Sequence, residues 1–462
     1  MTAKKNSNSL GDINRKYGDP WIWGIFAALI VISIVENYSA SSQLVAETHN
    51  IFKGMIKHCG FLLAGAFMAF KIAKQDYNKP KFLAISIPLL GLVTLVMLVL
   101  LLFSPIVNGA QRAIHVAGMT FQPTELSKLS IVTLTAYFVA KYQKGGGLTN
   151  GGMIWCCAAM GIYCGLMYQS GLTNCIIVAA VAGSMMLIGG APLKKLIAVL
   201  FAAGLIFFGI HTIKSNGNKN DKLLANANSN TELVAPAASE TLTPADTAKL
   251  KQASAEPTVD RDEMRGGRIL NWLNSSELIH KPLNDNNRQE ILSRMAQAHG
   301  GVIGVGLGQS RECARLPLAF SDYVYSIIIE EVGVVGGIVV LILFLSLLGR
   351  AMIIVRKCHR AMPSLLIIGL ASLITIQALV HMAINTGAFP VSGQPLPLLS
   401  QGGTAILTMC AAFGIMLSVS RTVSTSKATT STKREEQEIE AELPEELNAE
   451  NPSEIIPKNV WK

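Results

Sequence analysis

Charge is scarce in this chain, and that scarcity excludes a water-soluble protein. Asp, Glu, Lys and Arg supply 15% of the 462 residues, against 50% hydrophobic residues; soluble domains carry about 25% charged residues. A disulfide framework is also missing. Of eight cysteines, Cys59, Cys156, Cys157, Cys164, Cys175 and Cys410 fall in or near apolar runs, Cys358 lies in a short basic loop, and Cys313 alone lies in the one long polar loop. No CxxC spacing suggests a metal site. The short alternating segments of a membrane β-barrel are absent. The first twenty residues are polar, so no cleavable signal peptide is expected.

What the chain has instead is a series of long uncharged runs. Phe82 to Phe103 spans 22 residues without a charge, enough to cross a hydrocarbon core of about 30 Å. Similar windows predict spans near 21–39, 55–72, 82–103, 125–140, 152–168, 172–189, 196–213, 323–348, 364–387 and 404–420. The expected fold is all-α: a polytopic membrane protein of about ten transmembrane helices, with a large extracytoplasmic loop between the seventh and eighth. Gly161 and Gly165, four apart, read as a small-residue pair for close helix packing.

Orientation follows from the short loops. Lys4, Lys5, Arg15 and Lys16 precede the first span; Lys71, Lys74, Lys79 and Lys81 separate the second and third. Lys141 and Lys144, Lys194 and Lys195, Arg350, Arg356, Lys357 and Arg360, and Arg421, Lys427, Lys433 and Arg434 occupy alternate loops thereafter. Basic loops stay cytoplasmic, so both termini are expected inside. The net charge of +9 is then a topology signal, and nucleic acid is not an expected partner.

The expected organisation is a cytoplasmic tail over 1–20, helices over 21–213, the extracytoplasmic loop over 214–322, helices over 323–421 and a disordered cytoplasmic tail over 422–462. Residues 215–262 are rich in Asn, Ala, Ser, Thr, Pro and Lys without periodicity, a composition that buries no core. Arg268 to Leu273 predicts a short interfacial helix anchored by Trp272, and Gln289 to Ala298 another helix. The glycines at 300, 301, 304, 306 and 308 follow no predicted strand, so a tight, close-packed turn is preferred over a nucleotide loop.

Three polar segments meet the apolar runs. In the first, Asn108 to Arg112 (NGAQR) precedes Phe121 to Lys128 (FQPTELSK). Pro123 and Glu125 suit a helix start, and Glu125 can pair with Lys128 three residues on. Helix capping accounts for this loop, and so does a substrate-facing role in which Arg112 and Lys128 hold a pyrophosphate. In the second, Asp322 follows Ser321 at the mouth of a span; it is either a general base or a helix N-cap. Glu330 and Glu331 lie deeper in that span, as paired structural acids or functional ones. The third runs from Pro390 to Gly403 (PVSGQPLPLLSQGG), after a span holding Gln377 and His381, the latter read as a satisfied bundle histidine rather than a proton carrier.

In this order, with GGVIGVGLGQS ahead of Asp322 and about ten spans, the motifs resemble the SEDS family (shape, elongation, division and sporulation) over about residues 20–421, excluding 215–262. The resemblance implies a glycosyltransferase at the outer face of the cytoplasmic membrane. It would polymerise lipid II, the undecaprenyl-diphosphate-linked disaccharide-pentapeptide, alongside a class B penicillin-binding protein and other divisome membrane proteins. It implies Asp322 as the catalytic aspartate, the candidate general base. Arg112, Gln122, Glu125, Lys128, Ser400, Gly402 and Gly403 match the family's substrate-binding loops, together with Pro123, Pro390, Gly393, Leu396 and Pro397. It implies a divalent cation, magnesium or manganese, with no metal ligands assigned; no organic cofactor is expected.

The chain departs from the family pattern in places. Ala113 stands where Trp is common, Gln169 to Asn174 lacks the usual aspartate, His381 replaces an Asn, and Gln401 and Thr404 replace Tyr and Ser. A charged N-terminus and a long acidic tail favour the division (FtsW-like) branch and septal placement over the elongation (RodA-like) one. The rival class is a flippase for lipid-linked precursors, for which polar sites near the midplane would be expected; a non-enzymatic scaffold would not need Asp322.

Overall fold

The computed structural model describes residues 17–48, 51–75, 80–104, 113–116, 119–144, 147–168, 170–198, 261–274, 287–316, 319–358 and 360–442. The helices are α1 (Pro20–Thr48), α2 (Ile51–Lys74), α3 (Pro80–Leu101), α4 (Pro123–Tyr142), α5 (Asn150–Met167), α6 (Leu172–Ile188), α7 (Arg261–Leu273), α8 (Arg288–Gly300), α9 (Ala319–Asp322), α10 (Val324–Val355), α11 (Ala361–Asn385) and α12 (Gly403–Glu442). Two minimal hairpins pair 114–116 with 119–121 and 143–144 with 147–148. Among the described residues, six helices are long and apolar enough to cross a membrane, and two shorter apolar helices accompany them. The all-α polytopic architecture is as expected.

Burial separates a centre from a rim. Ala361–Asn385 is 78% buried and Gly403–Val423 is 72%, against 22% for Gly54–Lys74, so α11 and α12 are interior and α2 turns a face outward. Helix α4 joins them at the centre: its buried side chains include Ser127, Lys128, Ser130, Thr133 and Thr135. An apolar window alone under-reads such a helix: Ser130 bonds Thr94 and Tyr163 of neighbouring helices, Lys128 reaches Gln377 and Gln394, and Ser127 and Thr133 bond carbonyls of α4 itself. Helices α2 and α12 approach closely because glycines face each other's walls. A Cβ on Gly65 would lie 2.6 Å from Cys410 Sγ, and one on Gly414 would lie 2.8 Å from Ala69 O. At the opposite end from Asp322, Arg350 forks onto Asp19 at 2.7–3.1 Å, and the Asp19 N–H donates to Ser420 Oγ at 3.0 Å.

Three expectations change. A Cβ on Gly161 or Gly165 would meet nothing within 4 Å, so among the described residues this pair mediates no packing. Helix α12 continues to Glu442, well into the segment expected to be a tail. Asp322 and Ser321 do not cap α10; Tyr323 holds the cap position without a side-chain bond. Residues 199–213 of the seventh expected span, 215–260 and 443–462 lie outside the described residues.

The glycine run is the close-packed turn expected, and its partner is a break in α10. The backbone leaves helical geometry at Gly333 (φ 82°, ψ 179°), which frees main-chain groups that lipid could not satisfy. The loop after α8 satisfies them. Val305 and Gly306 N–H donate to Glu330 O and Glu331 O at 2.9 and 3.0 Å, while Val334 N–H donates to Gly301 O at 3.0 Å. A Cβ on Gly300, Gly304 or Gly333 would lie 2.0–2.2 Å from a facing carbonyl oxygen. Only glycine permits that approach. The Glu330 carboxylate accepts from Ser310 Oγ and from Arg311 N–H at 3.0 Å. Ser39 Oγ donates to Glu331 and accepts from Gly308 N–H. Both acids therefore anchor this loop.

Candidate active site

At the Asp322 end of the bundle lies a cavity of about 210 Å³, walled by the start of α4 and its N-cap (Gln122, Thr124, Glu125), the turn into α6 and its first turn (Ser170, Asn174), α9 (Ser321, Asp322), the 392–395 segment and Gln401, Gly402 and Ala405. Four elements far apart in sequence thus meet at one space. Helix packing delivers them, because each polar segment sits at the same end of its helix.

The Asp322 turn is fixed from outside. Asn385, at the end of α11, donates through Nδ2 to Asp322 O at 3.1 Å, and its Oδ1 accepts from Ser326 N–H and Oγ at 3.1 and 2.9 Å. It thereby caps α10 from a neighbouring helix, which satisfies a helix-start donor that would otherwise be orphaned. Gln297 of α8 donates to Asn385 O at 2.7 Å and Ser293 does so at 3.0 Å. Ser321 Oγ donates to Asp322 Oδ1 at 3.0 Å.

The 390–402 loop is tied to that turn. Ser400 Oγ donates to Ser321 O at 2.6 Å and accepts from Leu396 N–H at 2.7 Å, and Gln401 N–H donates to Phe320 O at 2.9 Å. Leu398 is held at φ 64°, unusual for a branched residue. Its carbonyl accepts from Ser33 Oγ at 2.8 Å, and Ser33 in turn bonds His58. His381 Nδ1–H donates to Gln394 O at 2.6 Å, while its Nε2 is buried with no partner.

Lys128 lies behind the wall. It is wholly buried, and its ammonium donates to Glu125 Oε1 at 2.7 Å, Gln377 Oε1 at 3.0 Å and Gln394 Oε1 at 3.4 Å. Its three donors are thereby used. Gln377 Nε2 donates onward to Pro395 O at 3.1 Å. Gln122 and Gly402 line the cavity with Glu125 and Asp322; Lys128, Ser400 and Gly403 do not. Gly403 instead packs against the Phe61 ring. Arg112 lies outside the described residues.

The sequence model of the FtsW/RodA/SpoVE family, described as "Cell cycle protein", matches residues 20–232 and 256–425. The chain belongs to this family. A relative from Trichlorobacter lovleyi, named a probable peptidoglycan glycosyltransferase FtsW, is 31% identical over 401 residues, covering 85% of this chain and 90% of its own. One of the same name from Enterococcus hirae is 25% identical, covering 95% and 99%. A solved structure titled "Structural coordination of polymerization and crosslinking by a peptidoglycan synthase complex" superposes with a TM-score of 0.61 at 20% identity, covering 88% of this chain and 98% of that one; at that identity it speaks for the fold.

Several wall residues of this SEDS protein were not singled out from sequence. Asn174 and Ser170 stand in the turn whose family aspartate is missing, and Ser392 and Gln394 stand among the glycines and prolines of the last loop. Their signal was a polar side chain at the end of an apolar run. Asn385 had a similar signal, one turn beyond His381. Nothing in the linear sequence marks Ser33 or His58.

Proposed function

We propose that this protein is a peptidoglycan glycosyltransferase that polymerises lipid II into glycan strands during cell division, at the outer face of the cytoplasmic membrane. The observation that carries the reading is Asp322: an acid at the family's motif position, on a polar cavity, at the start of a helix that Asn385 caps. In the reaction the attacking sugar hydroxyl gives its proton to the Asp322 carboxylate. Its oxygen bonds to the anomeric carbon of the second sugar, and the bond from that carbon to the undecaprenyl diphosphate breaks. Arg112 is the cation we assign to the departing diphosphate. Lys128, with its donors used, is assigned to holding Glu125 and the 390–402 loop in place.

A divalent cation fits the residues present. Asp322 and Glu125 put carboxylates on one cavity, and magnesium commonly takes one or two carboxylates plus substrate phosphates. Among the described residues no group of three or more His, Cys, Asp or Glu could hold a metal, so the diphosphate has to complete the shell. When bound, the ion would neutralise charge on the leaving diphosphate. We invoke no organic cofactor.

We further propose that both termini are cytoplasmic, that the protein acts at the septum with divisome membrane proteins, and that a class B penicillin-binding protein is its partner. The synthase-complex neighbour supports such a partner. The deciding experiment is polymerisation of purified lipid II in proteoliposomes, with and without the cognate penicillin-binding protein. Asp322→Asn is expected to abolish strand formation while the protein still inserts. Wild-type rates in that variant would remove Asp322 from the mechanism, and lipid II translocation without polymerisation by the wild type would favour a flippase.

A further inference from the structure

We infer that Asn174, Ser392 and the second oxygen of Glu125 form a subsite beside Asp322 that reads the hydroxyl and amide hydrogens of one hexose ring. The inference rests on the polymerase reading and adds a specificity role to residues that it leaves unassigned. Glu125 Oε1 is taken by Lys128, but among the described residues Glu125 Oε2 is buried with no hydrogen-bond partner, and so are Asn174 Oδ1 and Ser392 Oγ. All three residues wall the same cavity, and Glu125 and Asn174 are 2% and 7% exposed. Most buried polar atoms in folded proteins are paired, roughly nine in ten or more; of the eleven left unpaired among the described residues, these three belong to residues that wall one cavity. Three orphans on one wall therefore point to hydrogen-bond donors brought by a ligand.

The chemistry of the wall narrows the ligand. A carboxylate oxygen and an amide oxygen only accept hydrogen bonds, and a serine hydroxyl can accept. Among the described residues no lysine, arginine or histidine lines this cavity and two acids do, so the wall suits a neutral hydrogen-bond donor better than a bare phosphate, and the leaving diphosphate would approach it only together with its divalent cation. A neutral ring studded with O–H and N–H groups, such as an N-acetylated hexose, supplies donors in several directions. Size agrees: about 210 Å³ falls below the roughly 300–1,000 Å³ of sites for drug-sized ligands, which leaves room for one ring with the rest of the substrate outside. The subsite exists only in the folded chain, since Glu125 comes from α4, Asn174 from the first turn of α6 and Ser392 from the last loop.

The test uses the full-length protein in nanodiscs, with fluorescent lipid-linked disaccharide-pentapeptide and analogues lacking one ring hydroxyl or the acetamido N–H. Asn174→Leu and Ser392→Ala are each expected to lower kcat/KM about tenfold, with a melting midpoint unchanged or raised, because an orphan buried acceptor has been removed. Wild-type protein should favour the full substrate over one of the analogues by at least about tenfold, and that ratio should collapse towards one in a variant. Unchanged kcat/KM and analogue ratios in both variants would overturn the subsite. So would a lowered melting midpoint that accounts for the lost activity, or a raised half-saturating magnesium concentration with sugar discrimination intact. Direct titration of binding separates this inference from the polymerase reading. Sugar-dependent binding that weakens in Asn174→Leu, in a wild type that forms no strands, would sink the polymerase and keep the subsite; strand formation with no change in binding would do the reverse.

Discussion

Replacing Lys128 by methionine separates a structural ammonium from one that handles the leaving diphosphate. The side chain is wholly buried, with Glu125, Gln377 and Gln394 as its three acceptors. Methionine fills similar volume but donates nothing. Three buried acceptors then lose their donor, and one of them is a carboxylate. Removing one partner of a buried ion pair typically costs about 3–5 kcal/mol, because the remaining charge is left uncompensated. The expected outcome is a fall of several degrees in the detergent melting midpoint and poor turnover at all substrate concentrations. The double change Glu125→Gln/Lys128→Met should recover most of the midpoint, since an amide needs no counter-charge, without restoring turnover, because Glu125 lines the cavity. Arg112→Ala is the contrasting case. A cation that stabilises the departing diphosphate acts in the transition state, so its loss should lower kcat at an unchanged midpoint. Differential scanning fluorimetry and lipid II polymerisation on the four proteins decide the matter. A Lys128→Met variant with wild-type stability and lost kcat would refute the structural assignment and return the ammonium to the reaction.

Asn385→Ala should lower stability by about 1–3 kcal/mol and slow strand formation, because Ser326 and the Asp322 carbonyl lose their partner; equal rates in variant and wild type would show that the bracket does not position Asp322. Gly333→Ala places a Cβ 2.1 Å from Val302 O at a positive φ, so membrane-inserted yield and melting midpoint should drop sharply; a normally stable variant would mean that the glycine loop does not seat in the α10 break. Deleting 215–262 and joining the ends with a short flexible linker should leave polymerisation by the purified protein largely intact. A large loss with the midpoint preserved would place the segment in the site or against the partner.

Most of the architecture was legible because a lipid solvent writes strong rules into a chain. Any span must be long, apolar and helical, and runs such as 82–103 or 364–387 can be little else. The family motifs likewise mark Asp322, Glu125 and Gln122, which the fold brings to one cavity. Reading failed where a residue's role depends on which neighbour it meets. Lys128 and Arg112 look alike beside one polar loop, yet three acceptors from α4, α11 and the last loop turn Lys128 into an interior strut. Ser400 looks like a binding hydroxyl but is spent between Leu396 and Ser321. Asp322 and Ser321 look like an N-cap, but Asn385, 63 residues on, supplies an acceptor to the start of α10.

By itself, then, the sequence determined that the chain is a multi-pass helical membrane protein, where most of its spans lie, and the end of each helix that carries polar groups. Those are properties of local composition, set by the cost of burying charge in hydrocarbon. Only the tertiary structure decided which polar atoms are satisfied. Hydrogen bonds and ion pairs between helices are contacts at long sequence separation, and they leave Glu125 Oε2, Asn174 Oδ1 and Ser392 Oγ without partners around one cavity while saturating Lys128 and Ser400 a few ångströms behind it. A donor or acceptor has the same chemistry whether spent or unspent; the packing of the bundle sets the difference.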